Sequence, residues 1–239
     1  MPEARERLIV ALDVPTAAQA RQLVAAVGDA ASFYKVGKQL FTAEGPPVVR
    51  DLVASGRKVF LDLKYHDIPN TVAEAVRAAS RLGVSMLNVH ASGGSKMLRA
   101  AAEAAAQSEA KPKVLAVTVL TSLSDQDLQE IGVSGRAMDQ VLRLAQLARA
   151  NGCLGVVASA REAKEIRREI GEGFLIVTPG VRPAGAALND QARHVTPAEA
   201  MSAGATHIVV GRPISAGADP GKAARAVVEE MESALVAMK

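Results

Sequence analysis

The sequence predicts an α/β protein, a (β/α)₈ barrel forming a single domain over residues 1–239. Three observations predict it. Short β-branched or aliphatic runs recur eight times. Ala-rich amphipathic stretches with helix signals lie between them, the alternation that gives a parallel sheet covered on both faces. Polar residues gather where the runs end, which is where barrels of this kind place their active sites. A doubly wound open sheet is the alternative arrangement of the same units.

The runs, in order, are "LIVALDV" (8–14), "FYKVG" (33–37), "KVFLDLK" (58–64), "MLNVHA" (86–91), "KVLAVTVL" (113–120), "GVVAS" (155–159), "LIVTPG" (175–180) and "HIVVGR" (207–212). Thr16, after Pro15, can cap the first helix. "NTVAEAVRAASRLG" (70–83) offers Asn70 or Thr71 as cap and Gly83 as stop. "TSLSDQDLQEIGVSGRAMD" (121–139) is the longest interruption and reads as a loop with a short helix. The last helix, "DPGKAARAVVEEMESALVAM" (219–238), has Asp219 as cap and Pro220 at its first position. No Pro/Gly/Ser-rich linker or low-complexity tract divides the chain.

Composition narrows the function classes. Of 239 residues 49% are hydrophobic, enough for one large core. The formal net charge is only +3, and the Lys and Arg residues are scattered rather than gathered into a nucleic-acid-binding stripe. Aromatics at 3% leave few platforms for stacking single-stranded bases. The mild basic bias suits small anionic ligands. The N-terminal "MPEARERLIVALDVP" lacks the long apolar core of a signal peptide, and no segment reaches membrane-spanning length. Cys153 stands alone, as a small buried residue would in a reducing cytoplasm, the expected location.

"VFLDLKYHDIPN" (59–70) starts apolar and ends in charge. Strand alternation puts Phe60, Asp62 and Lys64 on one face and Leu61, Leu63 and Tyr65 on the other. Asp67 falls just past the strand end, where the chain can turn back. A short D-x-K-x-x-D can be a structural salt bridge at a sheet edge, so the rest of the chain must decide. It supplies Asp13 after strand one, Lys35 near the end of strand two, Asn88 and His90 on strand four, and Thr121 with Ser122 after strand five. Strands seven and eight run into "TPGVRP" (178–183) and "VGRPIS" (210–215), each with a Gly that admits an anion to the backbone and an Arg that can fork onto it. Those are the two strands after which barrels often hold phosphate.

In this order, "LIVALDV", "YKVG", "DLKYHDIPNTV", "VTVLTS", "TPGVRP" and "VGRPI" resemble the orotidine 5′-phosphate decarboxylase family, in its common bacterial branch, over almost the whole chain. The resemblance implies a (β/α)₈ barrel that converts orotidine 5′-phosphate to UMP with no metal or organic cofactor. It implies Lys64 as proton donor, in a charge network with Lys35, Asp62 and Asp67. Asp13 and Lys35 would contact the ribose hydroxyls, Thr121 and Ser122 would lie by the pyrimidine, and Arg182, Gln191, Gly211 and Arg212 would hold the phosphate. It implies a homodimer with shared sites, in which Asp67 and Thr71 reach the neighbouring subunit's site, and it adds Ile68 to the substrate-binding residues. "RPAGAALNDQARHV" (182–195), rich in small residues, reads as a closing loop.

The remaining histidines carry no metal-ligand spacing. His66 reads as a strand-end residue, His194 as a loop residue and His207 as a strand start. His90 is either site-lining or simply a satisfied polar residue. Two other functions fit parts of the pattern. A magnesium-dependent decarboxylase or aldolase-like lyase of a sugar phosphate can share D-x-K-x-x-D. A non-catalytic phosphate-binding barrel would not need Lys35, Asp62, Lys64 and Asp67 all together.

Overall fold

A computed structural model describes residues 4–183 and 195–237. Eight parallel strands close on one another in sequence order: β1 (Leu8–Ala11), β2 (Phe33–Gly37), β3 (Lys58–Tyr65), β4 (Met86–His90), β5 (Lys113–Val117), β6 (Gly155–Val157), β7 (Leu175–Thr178) and β8 (His207–Val210). The closing pair is β1 with β8, in register Leu8↔Ile208 to Val10↔Val210. Closure removes the doubly wound alternative, because it leaves no sheet edge.

Alternation along the strands separates two cores. Outward residues such as Val10, Tyr34, Val36, Leu61, Leu87 and Ile208 pack under the helices. Inward residues Ile9, Ala11, Phe33, Phe60, Met86, Leu115, Val177 and Val209 fill the barrel itself. The interior is therefore a packed plug, as barrels of this size require. At Gly155 an added Cβ would lie 2.5 Å from both the carbonyl oxygen and the Cβ of Leu175. Only glycine lets β6 and β7 approach this closely.

The expected helices form, with one correction at a start. Thr16 accepts from the Gln19 N–H at the head of Ala17–Val27, and the Asp219 carboxylate accepts from the Lys222 N–H at the head of Pro220–Ala237. The long interruption holds a short helix, Asp125–Glu130, entered through a reciprocal Ser124–Asp127 cap, before the helix Ala137–Ala150. The helix after β3 runs Pro69–Ser80 and its N-cap is Ile68, so neither Asn70 nor Thr71 caps it. Pro69, with φ fixed near the helical value and no N–H to satisfy, starts the helix without a side-chain cap. Cys153 is buried, and burial pushes its thiol up to about 12. Among the described residues no helix is long and apolar enough to cross a membrane.

Candidate active site

Each inward strand position has a neighbour two residues on, one layer nearer the C-terminal mouth. Ala11 is followed this way by Asp13, Phe33 by Lys35, Phe60 by Asp62 and Met86 by Asn88. The step from apolar to charged marks the top of the plug and the floor of the site. There the side chains meet in an alternating chain. Lys35 Nζ lies 2.9 Å from Asp13 Oδ1 and 3.4 Å from Asp62 Oδ2, and Lys64 Nζ lies 2.6 Å from Asp62 Oδ1. Asp13 is the most open of the four, its side chain 59% exposed against 11% for Lys35 and 13% for Asp62. Burial alone would raise the Asp62 carboxyl. The ammonium groups of Lys35 and Lys64, with hydrogen bonds from Lys64 and Asn88, outweigh it and hold Asp62 below its ordinary value.

The reach of Lys64 into this cluster depends on a break in β3. Pairing with β4 runs Phe60↔Met86 and Leu61↔Leu87, then resumes at Tyr65↔Val89. Three residues on β3 thus face one on β4, which is Asn88. Lys64 takes up the surplus with φ 54°, a left-handed backbone that lysine rarely adopts. The fully buried Asn88 braces it: Lys64 N–H donates to Asn88 Oδ1 at 2.8 Å, while Asn88 Nδ2 donates to Asp62 Oδ1 at 2.7 Å. Simple alternation therefore gives the right face for Lys64 but the wrong backbone. Asn88, to which the resemblance gives no role, thus joins the charged cluster. Its signal was its position on β4, two residues past the inward Met86. Gly37 completes the floor, since a Cβ there would sit 2.9 Å from Lys35 Nζ.

The loops after β7 and β8 continue the mouth on the other flank of β1. Gly180 has φ 77°, which turns the chain out of β7 towards the buried Arg182. Gly211 lies against β1, close enough that a Cβ would be 3.5 Å from Ala11 Cβ and 3.7 Å from Asp13 Oδ2. Arg212 opens the turn of helix Arg212–Ser215 that follows and is exposed. Asp13 is thus the link between the charged cluster and the β8 loop.

Other expected residues stand apart from the cluster. Thr121 and Ser122 are exposed on the turn after β5. Asp67, Ile68 and Thr71 are exposed on the rim, with Ile68 66% exposed. The Asp67 carboxylate accepts the Ile68 N–H at 2.6 Å and makes no ion pair with Lys64 of its own chain. Gln191, His194 and most of the 182–195 loop lie outside the described residues. The His90 and His66 rings lie 5.4 Å apart, tilted by 41°, and burial, together with His66 and nearby lysines, lowers His90. Its ring lies close enough to Lys64 and Asp62 to feel their charges. Among the described residues no three His, Cys, Asp or Glu side chains gather as metal ligands.

Fold and site together define a (β/α)₈ barrel enzyme with a lysine–carboxylate centre at the C-terminal mouth. The chain belongs to the orotidine 5′-phosphate decarboxylase / HUMPS family, whose model matches residues 6–227. It is 57% identical over 228 residues to a protein named orotidine 5′-phosphate decarboxylase from Halorhodospira halophila, covering 95% of this chain and 97% of that one. A protein of the same name from Moorella thermoacetica is 53% identical over 235 residues, 96% of this chain and 93% of its own. The crystal structure of orotidine 5′-phosphate decarboxylase from Lactobacillus acidophilus superposes with a TM-score of 0.84 at 41% identity, covering 95% of this chain and 99% of that one.

Proposed function

We propose that this protein removes CO₂ from orotidine 5′-phosphate to give UMP, in pyrimidine biosynthesis, without a metal or organic cofactor, and that Lys64 delivers the proton. The observation that carries the reading is the Asp13–Lys35–Asp62–Lys64 chain, its contacts 2.9, 3.4 and 2.6 Å long, set in the barrel mouth. The C6–carboxylate bond breaks, CO₂ leaves, and the electron pair stays on C6, where the ring cannot delocalise it well. A fixed ammonium beside C6 stabilises that pair and then protonates it, and the resulting amine is recharged from solvent. Asp62 holds the Lys64 ammonium in place at 2.6 Å.

The rest of the mouth positions the substrate. Asp13 and Lys35 take the ribose hydroxyls, and Thr121 with Ser122 takes the pyrimidine. Arg182, Gly211 and Arg212, with Gln191, take the phosphate. The proximity of Gly211 to Asp13 supports this order, because ribose and 5′-phosphate are adjacent in the nucleotide. Binding energy from the phosphate can then serve the distant reacting carbon. Asp67, Ile68 and Thr71 complete the site of a second copy. Their exposure, and the absence of an Asp67–Lys64 pair within the chain, support that sharing.

The direct test follows the loss of orotidine 5′-phosphate absorbance with purified protein, with and without excess EDTA. Turnover should be the same in both. No turnover in either would end the decarboxylase reading, and turnover that EDTA abolishes would favour the magnesium-dependent alternative. Lys64→Ala should lose turnover while still binding UMP; near-normal rates would remove Lys64 as proton donor.

A further inference from the structure

The two-residue step that lifts Asp13, Lys35 and Asp62 above the barrel plug also works in the other direction. Two residues before the inward Ile9, Phe60, Leu115 and Val209 stand Arg7, Lys58, Lys113 and His207. These four line a recess of about 310 Å³ at the N-terminal mouth, floored by Phe33, Met86 and Leu175. Among the described residues one carboxylate lines it, Glu6, and that is 3.2 Å from Lys58. Arg7 is nine-tenths buried, yet among the described residues it makes no ion pair or hydrogen bond. A buried guanidinium left without an anion is costly. Among the described residues Lys113 has no carboxylate partner there either.

His207 records the same excess of positive charge. The Thr206 hydroxyl donates its proton to the Ile176 carbonyl, so the 3.0 Å contact from His207 Nδ1 to Thr206 Oγ1 must be donated by the ring. Nε2 is then the nitrogen left to take a proton. Burial, with the charges of Lys113, Arg7 and Lys58, pushes His207 down to about 4, so the ring is neutral. The mouth thus holds cations in excess and a histidine able to become one more.

We propose that this N-terminal mouth is a second anion site, built by Arg7, Lys58, Lys113 and His207 for a small free oxyanion of the phosphate class. It lies at the opposite end of the barrel from the C-terminal mouth, and it does not depend on the activity assigned there. A tetrahedral oxyanion would accept a forked pair of hydrogen bonds from Arg7 and share the ammonium charges of Lys58 and Lys113.

The test titrates orthophosphate into the protein at constant ionic strength, with chloride as the balancing anion, and follows the imidazole resonances of His207 by NMR. The His207 signals are identified by their loss in His207→Gln. Wild type should show a saturable shift that chloride does not produce. Arg7→Gln should weaken it by about tenfold or more, the size of one charge-assisted contact. Arg212→Ala, at the other mouth, should leave it unchanged, which separates this site from phosphate binding near the charged cluster. If Arg7→Gln does not fold, Lys113→Gln, an exposed position, should still weaken the shift several-fold. No saturable shift in wild type, or the same shift in the Arg7 or Lys113 variant, would overturn the site.

Discussion

Among single residues, Asn88 shows most clearly how a neutral side chain can govern charged ones. Its two hydrogen bonds fix the Asp62 carboxylate and the strained Lys64 backbone together. A left-handed non-glycine residue costs about 1–3 kcal/mol and persists only where its surroundings hold it. Under the proposed function Asn88→Ala should therefore lower kcat by on the order of 10- to 100-fold with KM nearly kept, because it would loosen the Lys64 ammonium and not the contacts proposed for the phosphate. Asn88→Asp should be worse, since it sets a second carboxylate against Asp62. A rise in KM at unchanged kcat would mean that Asn88 does not position Lys64.

His207 gives a second prediction at this scale, and its sign follows from its lowered value. Folded His207 takes a proton only near pH 4, whereas the unfolded residue does so near its ordinary 6.5. Its contribution is therefore whole above that ordinary value, is lost as pH falls towards 4, and changes no further below. The span is on the order of 3 kcal/mol. In phosphate-free buffer, denaturant midpoints should fall more steeply between pH 6.5 and 4 for wild type than for His207→Gln. Equal slopes would show that the folded ring takes its proton as readily as the unfolded one.

At the scale of elements, the strand ends divide the chemistry. β1, β2 and β3 deliver the charged chain, β4 braces it, and the exits of β7 and β8 bring Arg182 and Arg212 to the same mouth. Under the proposed function Arg212→Ala should lower kcat/KM for the nucleotide by about 2–5 kcal/mol of transition-state stabilisation. The dephosphorylated nucleoside lacks the group Arg212 holds, so its reaction should change little. Equal losses on both substrates would make Arg212 a structural residue of the short helix that follows β8.

On the scale of the whole molecule, the rim carrying Asp67, Ile68 and Thr71 is exposed, and Asp67 makes no ion pair with Lys64 of its own chain. Lys64→Ala and Asp67→Ala proteins, each inactive under the proposed function, test the proposed shared site when allowed to exchange subunits. In a mixed dimer one site combines an intact Lys64 with an intact Asp67 from the other chain, and the second site lacks both. Random exchange makes about half the dimers mixed, so activity should return to roughly a quarter of wild type under two-fold symmetry. Activity that stays at mutant level, with exchange demonstrated by labelled subunits, would place Asp67 in its own chain's site.

The sequence by itself determined the eight strands, the helix starts at Thr16 and Asp219 and the residues that collect at the barrel mouth, because these follow from local rules. Alternation sorts Ile9, Phe60 and Val209 from Val10, Leu61 and Val210, and a cap such as Thr16 acts within one turn. The resemblance carried by "DLKYHDIPNT" added the roles that residue patterns alone leave open. Only the tertiary structure decided how β3 pays out its surplus residue, that Lys64 sits at φ 54°, and that Asn88 holds it. It also set Lys35 between Asp13 and Asp62, and gathered Arg7, Lys58, Lys113 and His207 at the opposite mouth. The reason is physical: a register shift and a cross-strand ion pair are properties of neighbouring strands, and those neighbours exist only once the sheet has closed.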